Sequence, residues 1–485
     1  MVFSSHLFFF YFLPVSLALY YPLGPRGKHL VLVLVSYVFY GWANPWFVAL
    51  MWFQTVVDFV AGYTIAQRWG VPKQVPIEPL VRGGPRTRAQ VAALVAAIVS
   101  NLALLAFFKY FNFGVDNYNA VVTALGWESA RWDTFFRVTL PLGISFYTFQ
   151  SMSYSIDVFR GDARVVTSLL DYSCYVAMFP QLVAGPIVRF QDVADQLVFR
   201  THTLEKFARG VAFVAFGLSK KILLANPCGK IADTVFDAAS RTCSDAWFGV
   251  CAYAFQIYFD FSAYSDMAIG LGLMLGFVFV KNFDSPYQSL SVTEFWRRWH
   301  ISLSTWLRDN LYIPLGGNRR GPTRTYLNLM ATMLLGGLWH GASWNFVIWG
   351  GLHGGALGLE RALRSYGMTR RCPRCVRLAG TFTFVLITWV FFRAADLPSS
   401  LRFLGDMARW EPTGGPAELL AGAIYQPYYV VSFLCSSLFV FFMPQVWDFT
   451  RTITLFKAML AIAALATSLI VMESQAYNPF IYFIF

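Results

Sequence analysis

The chain has 485 residues, of which 57% are hydrophobic, 18% aromatic and only 13% charged, and its net charge is +12. Soluble globular chains carry about 25% charged residues, so this composition excludes a water-facing globule. Apolar runs of membrane-spanning length recur from end to end and give an all-α polytopic membrane protein. The basic residues cluster between those runs, so the lipid bilayer and not nucleic acid explains them, through cytoplasmic loops that obey the positive-inside rule.

The first stretch, "MVFSSHLFFFYFLPVSLALYY", has no basic residue before Arg26 and no small-residue cleavage site. It reads as a retained first span and not as a signal peptide. Candidate spans lie at 3–22, 29–43, 45–66, 90–108, 137–157, 207–225, 247–275, 326–341, 343–362, 378–395, 427–445 and 458–474. With the soft ends, this amounts to about 11–13 transmembrane helices. The less apolar stretches 171–190 and 292–315 read as re-entrant or interfacial helices, which membranes tolerate where protein or a wet cavity surrounds them. Basic loops holding Arg82, Arg86 and Arg88, then Arg319, Arg320 and Arg324, then Arg361 to Arg377 fall on the cytoplasmic side by the same rule, which puts both termini outside. Cys372 and Cys375 form a CxxC without two further ligands nearby, so no metal site is expected. The halves carry no internal repeat of the kind many secondary transporters have.

Three histidines sit in the dense central part of the chain. His340 follows an apolar run in "MLLGGLWHGASWNFVIWGGLHGG". An ionisable group at membrane depth is costly and is a functional candidate by default. A buried neutral imidazole can take a proton from a hydroxyl. The alternative is a satisfied polar residue bonding a neighbouring helix, and residue types alone do not choose between them. His300 lies in "VTEFWRRWHISLSTWLRDNLYIPLGGNRRG". There Thr293, Trp296, His300 and Leu303 share one face of an expected amphipathic helix. Either that helix is interfacial and its histidine meets water, or it folds inward and brings His300 towards His340. His353 falls on a different helix face from His340 and reads as structural or as a span-end residue. Asp260 and Asp266 do not share a face, so hydrogen bonds to Ser, Tyr or Trp groups of neighbouring helices are expected for them. No Walker loop, dinucleotide fingerprint or GxSxG elbow is present.

The chain ends "AYNPFIYFIF", with Tyr482 carrying the only side-chain hydroxyl after Pro479. Pro479 interrupts the preceding helix. An extended tail would put Phe480, Tyr482 and Ile484 on one face. Taken alone this is a hydrophobic stub with a belt aromatic.

The block "FWRRWHISLSTWLRDNLYIPLGGNRRG" followed by "LLGGLWHGASWNFVIWGGLHG" resembles the membrane-bound O-acyltransferase (MBOAT) family. Together with "LPLGISFYTFQSMSYSIDVFRG", "FPQLVAGPIVRF" and "YFDFSAYSDMAIGLGLMLGF", the match is closest to its bacterial branch that acetylates alginate and other exopolysaccharides. The resemblance implies a ring of helices around a tunnel, formed by residues 1–475 with a catalytic core near 137–362. It implies His340 and His300 as catalytic residues. It also implies Trp296, Trp299, Arg308, Asp309, Trp339 and Asn345 as residues that line the site or orient the donor, acetyl-CoA as that donor, and no bound cofactor. Placement in the bacterial inner membrane, a periplasmic SGNH (esterase-like) acetyltransferase partner and an exopolysaccharide as final acceptor follow from the same resemblance, with cellulose or another polymer as the alternative to alginate. A relative that adds D-alanine to teichoic acids uses a small peptide ending much like "FIYFIF". This gives residues 476–485 the reading of an acyl-relay tail with Tyr482 as possible carrier. A transporter or flippase of lipid-linked sugar is the competing class.

Overall fold

The structure is a computed structural model that describes residues 1–485 except 73–75, 133–135, 366–371, 411–416, 476 and 480–485. Tyr482 therefore lies outside the described residues. Among the described residues there is no strand. The chain forms two compact units, Met1–Phe207 with Leu271–Val280, and Ala208–Gly270 with Lys281–Phe485.

The helices of the first unit are α1 (Leu7–Tyr20), α2 (Pro25–Gly41), α3 (Trp46–Ile65), α4 (Arg88–Ala124), α5 (Ile144–Arg160), α6 (Leu169–Ala177), α7 (Phe179–Leu182) and α8 (Phe190–Val198). Helix α4 starts at a capping box, Thr87 Oγ1 accepting from the Gln90 amide at 3.2 Å and Gln90 Oε1 from the Thr87 amide at 2.8 Å. It runs well past the predicted end at residue 108. Its polar second half is held by the following segment, Asn112 bonding the backbone of Val138 and Asp116 pairing with Arg137 at 2.7 Å.

Helix α5 is buried on nearly every side although it is rich in Ser and Gln. Buried polar groups left unbonded cost about 1–3 kcal/mol each, and Gln150, Ser153 and Ser155 are bonded. Ser155 Oγ and Asn101 Nδ2 donate to the two oxygens of Asp58 at 3.0 and 2.8 Å. A second network joins His29, whose Nδ1 meets Asp171 at 2.6 Å and whose Nε2 meets Arg200 at 2.8 Å. Arg200 also donates to Tyr20 at 3.0 Å, and Tyr20 donates to the Leu275 carbonyl at 2.7 Å.

The remaining helices are α9 (Leu204–Ser219), α10 (Asn226–Phe236), α11 (Cys243–Met274), α12 (Val292–Arg298), α13 (Ile301–Leu307), α14 (Gly321–His340), α15 (Trp344–Ser365), α16 (Arg374–Arg393), α17 (Leu397–Ala408), α18 (Ala417–Ile424), α19 (Pro427–Phe442), α20 (Val446–Phe449) and α21 (Leu455–Ser474). Each predicted span falls on a helix or on abutting helical segments, except that residues 137–143 of the span 137–157 precede α5 without helical structure. Of these, α3, α4, α16 and α21 are long and apolar enough to cross a membrane by length and composition.

Two features of the second unit shape its interior. Helices α14 and α15 pack so closely that a Cβ on Gly337 would stand 2.2 Å from the Phe346 carbonyl oxygen, and one on Gly350 would stand 2.4 Å from that of Met333. Small residues let helix backbones approach in this way. Between α9 and α10 the chain opens into a π turn over Lys220–Ala225. Lys221 meets Asp260 at 2.8 Å and Lys220 meets Asp266 at 2.7 Å, both carboxylates lying on α11. The aspartates expected to bond Ser, Tyr or Trp groups are thus ion-paired. Desolvated carboxylates need a cation to offset their lost hydration, and the turn presents two.

Candidate active site

Residues 292–315 do not form the single amphipathic helix the periodicity predicts. The helix breaks at His300, which is left-handed (φ 43°, ψ 57°) between α12 and α13. The loop 281–285 causes the break by intercepting the helical hydrogen bonds. The Arg298 carbonyl accepts from the Asp284 amide at 2.9 Å, and the Ile301 amide donates to the Asn282 carbonyl at 2.8 Å. The Ser302 amide donates to Asn282 Oδ1 at 3.2 Å. A left-handed residue with a Cβ costs about 1–2 kcal/mol, which these bonds offset. The shared face of Thr293 and His300 is lost, and the ring turns into the protein, where His300 is fully buried.

Asn282 also fixes the ring's protonation. Its Oδ1 lies 3.1 Å from His300 Nδ1 and accepts from Ser302 Oγ at 2.9 Å, while its Nδ2 donates to Ser265 Oγ at 2.9 Å. An amide oxygen can only accept, so Nδ1 carries the proton and Nε2 holds the lone pair. Burial pulls the pKa of His300 from 6.5 to about 3, so the ring is neutral at physiological pH. Phe261 stands edge-on to it with ring centroids 4.6 Å apart, and Trp339 lies at 6.2 Å.

His340 ends α14 and is half-buried. Its ring meets Trp339, Trp349 and Phe392 at centroid distances of 5.1, 5.2 and 5.1 Å. Trp339 therefore touches both histidines, and the inward-folded reading of 292–315 is the one the structure has. His353 differs. Trp296 Nε1 donates into its Nδ1 at 3.2 Å, and its Nε2 faces Thr388 Oγ1 at 3.1 Å. Both nitrogens are used within the protein, as expected of a structural residue.

Of the remaining predicted site residues, Trp296 joins the cluster through Trp349 at 5.7 Å, and Trp299 is buried between Phe283 and Trp389 at 5.2 and 5.1 Å. Asn345 ties the start of α15 to the Ala394 carbonyl at 2.9 Å. Arg308 and Asp309 form an ion pair with each other, with contacts of 2.7 and 3.1 Å. Sequence reasoning missed Asn282, Trp349, Phe261 and Phe392. Trp349 lies one turn before His353, so helical spacing could have found it, whereas Asn282 sits in a loop without periodicity. A cavity of 770 Å³ lined in part by Arg241, Arg393, Arg402, Asp406 and Arg409 shares no residue with the histidine cluster.

The sequence profile of the membrane-bound O-acyltransferase family matches residues 91–395, a stretch that contains both histidines and the tryptophan between them. The chain belongs to the MBOAT family. It is a membrane protein and an O-acyltransferase. Among similar MBOAT proteins, the probable alginate O-acetylase AlgI of Pseudomonas putida is 43% identical over the full length of both chains. The peptidoglycan O-acetyltransferase of Helicobacter pylori is 36% identical over 84% of this chain and 80% of its own. The teichoic acid D-alanyltransferase of Streptococcus thermophilus is 30% identical over 44% of this chain and 55% of its own. In this MBOAT chain the geometry supplies a neutral buried imidazole of fixed tautomer and a second, half-buried one, joined by an indole.

Proposed function

We propose that this chain is the membrane subunit that O-acetylates a secreted exopolysaccharide, with alginate as the favoured polymer. The observation that carries the reading is the His300–Trp339–His340 contact in a chain whose full length aligns with a relative named for alginate acetylation. In this reading the donor is acetyl-CoA on the cytoplasmic side of the bacterial inner membrane. Residues 1–475 form the conduit, both termini are periplasmic, and a periplasmic esterase-like SGNH subunit completes transfer to the polymer.

The chemistry follows from the two imidazoles. A hydroxyl gives its proton to His340 as its oxygen attacks the acetyl carbonyl, and the coenzyme A thiolate leaves and takes up a proton. His300 presents the Nε2 lone pair, which suits it to orient a hydrogen-bond donor and not to stabilise an oxyanion. Tyr482 is the proposed intermediate hydroxyl. Phenol, with a pKa of about 10, leaves more readily than a sugar hydroxyl in the second transfer. Trp296, Trp299 and Asn345 brace the aromatic wall, and Arg308 and Asp309 lie on the donor path.

His340→Ala in the producing organism tests the reading. Polymer is expected to be secreted at normal yield without O-acetyl esters, with the protein still in the membrane fraction. Normal acetylation would overturn the assignment. Loss of the polymer itself would point to a sugar transporter. Acetylation lost from cell-wall glycan and kept on the exopolysaccharide would support the peptidoglycan reading that the Helicobacter relative favours.

A further inference from the structure

The last described residues of the chain are bound to the second unit by side chains from three places. Asn226, at the start of α10, donates Nδ2 to the Tyr477 carbonyl and to Asn478 Oδ1, both at 3.3 Å. Two turns further along α10, Asp233 accepts the Tyr477 hydroxyl. Asp233 is itself steadied by Arg393 Nη2 at 2.6 Å. Lys230 lies over the Tyr477 ring at 5.5 Å. Gly229 leaves the space the phenol occupies, since a Cβ there would stand 3.2 Å from its oxygen. Burial and the Asp233 carboxylate push the Tyr477 phenol up, so the hydroxyl keeps its proton and donates.

The third attachment is the most consequential. Lys221 Nζ donates to the Pro479 carbonyl while paired with Asp260, and the side chains of Lys221 and Asp260 are 3% and 1% exposed. An ammonium taken out of water needs good acceptors around it. One of the acceptors here is the backbone of the C-terminal segment. Removing that segment would strip a partner from a buried cation, so its docking is coupled to the interior of the unit.

We propose that Tyr477, Asn478 and Pro479 form a buckle on the π turn and α10, and that Asp233, Asn226 and Lys221 are positioning residues for the C-terminal hexapeptide 480–485. The proposal rests on the reading of Tyr482 as acyl carrier. Tyr482 follows the anchored Pro479 carbonyl by three residues in the sequence. Tethering of this kind replaces a search through the bilayer by a high effective concentration. The chain thus carries its relay group in cis, from a fixed point that does not include the histidines.

The test uses the full-length protein in membranes and the variants Tyr477→Phe, Asp233→Asn and Tyr482→Phe. Hydrogen exchange of the peptide 475–485 reads the buckle directly. A hydrogen bond to a charged group is lost in Tyr477→Phe, so exchange should quicken about 10- to 100-fold. Asp233→Asn should do the same, and the double variant no more than either single. Polymer acetylation should fall by a similar factor in Tyr477→Phe and be absent in Tyr482→Phe. Unchanged exchange in Tyr477→Phe overturns the buckle. Faster exchange with normal acetylation overturns its positioning role. Normal acetylation in Tyr482→Phe overturns the carrier reading, and the buckle is then still judged by exchange.

Discussion

His29 in the first unit and His300 in the second are both buried, and each has a polar partner at Nδ1. The partners differ in charge. His29 stands between the Asp171 carboxylate and the Arg200 guanidinium, one on each nitrogen. Both ring nitrogens are taken up by charged groups, so it acts as a strut between α2, α6 and the Arg200 loop. His300 has the neutral amide of Asn282 on Nδ1, and aromatic rings along its sides. A neutral acceptor fixes the tautomer without stabilising the imidazolium, and burial keeps the ring uncharged. The lesson of this pair is that burial alone does not mark a histidine for chemistry. The charge of the partners separates these two.

The comparison breaks most strongly at Asn282. Asn282→Ala removes the acceptor of Nδ1 and of two Ser302 groups at once. A misplacement of about 1 Å at a reacting group costs about 100-fold, and a fall of that order is expected in acetyl transfer by purified protein. Asn282→Asp keeps the acceptor and adds a charge. A carboxylate raises the pKa of a neighbouring imidazole, so the Nε2 lone pair would be lost as pH falls through a raised value. The variant should lose activity on the acid side of neutrality through this ring. In the parent chain the His300 pKa of about 3 keeps the ring neutral throughout that range.

His353 sharpens the contrast inside the second unit, because it is a strut without charged partners. His353→Ala opens a cavity and leaves the half-buried Trp296 N–H without its acceptor. The combined cost is about 2–4 kcal/mol, read as a lower midpoint in thermal unfolding in detergent. The fraction that remains folded should lose less activity than Asn282→Ala does.

How much of this was legible in sequence depends on the range of the interaction. Apolar length and helical period are local, and so the spans, the α14–α15 hairpin and the family could be read from consecutive residues. The meeting of His300 with Trp339 and His340 was open, because it depends on a break that no local signal marks. Arg298 and Ile301 have ordinary helical neighbours, and only Asp284 and Asn282, far upstream, take their bonds. Lys221 and Asp260 are likewise far apart in sequence, so each looks like an isolated charge until the π turn faces α11. The C-terminal segment reads as a greasy stub because its polar attachments, Tyr477 and Asn478, precede the apolar run.

The smallest expected effect lies at His29 and tests the strut side of the comparison. Asp171 keeps about a third of its side chain exposed (35%), so the pair resembles a partly screened surface bridge. His29→Gln should cost about 1 kcal/mol and leave acetyl transfer unchanged. The pH dependence separates this from a packing defect. Burial raises the Asp171 pKa, but the hydrogen bond from His29, with Ser168 and Arg26, outweighs it and leaves the carboxyl below its ordinary value. A carboxylate depressed by folding contributes stability above its unfolded pKa, near 3.9, and loses it as pH falls through the lower folded value. The parent protein should therefore lose stability below about pH 4, and His29→Gln should lose less over that interval. If both lose it equally in unfolding midpoints measured at successive pH, His29 is filler and not a strut, and the charge of the partner is not what separates it from His300.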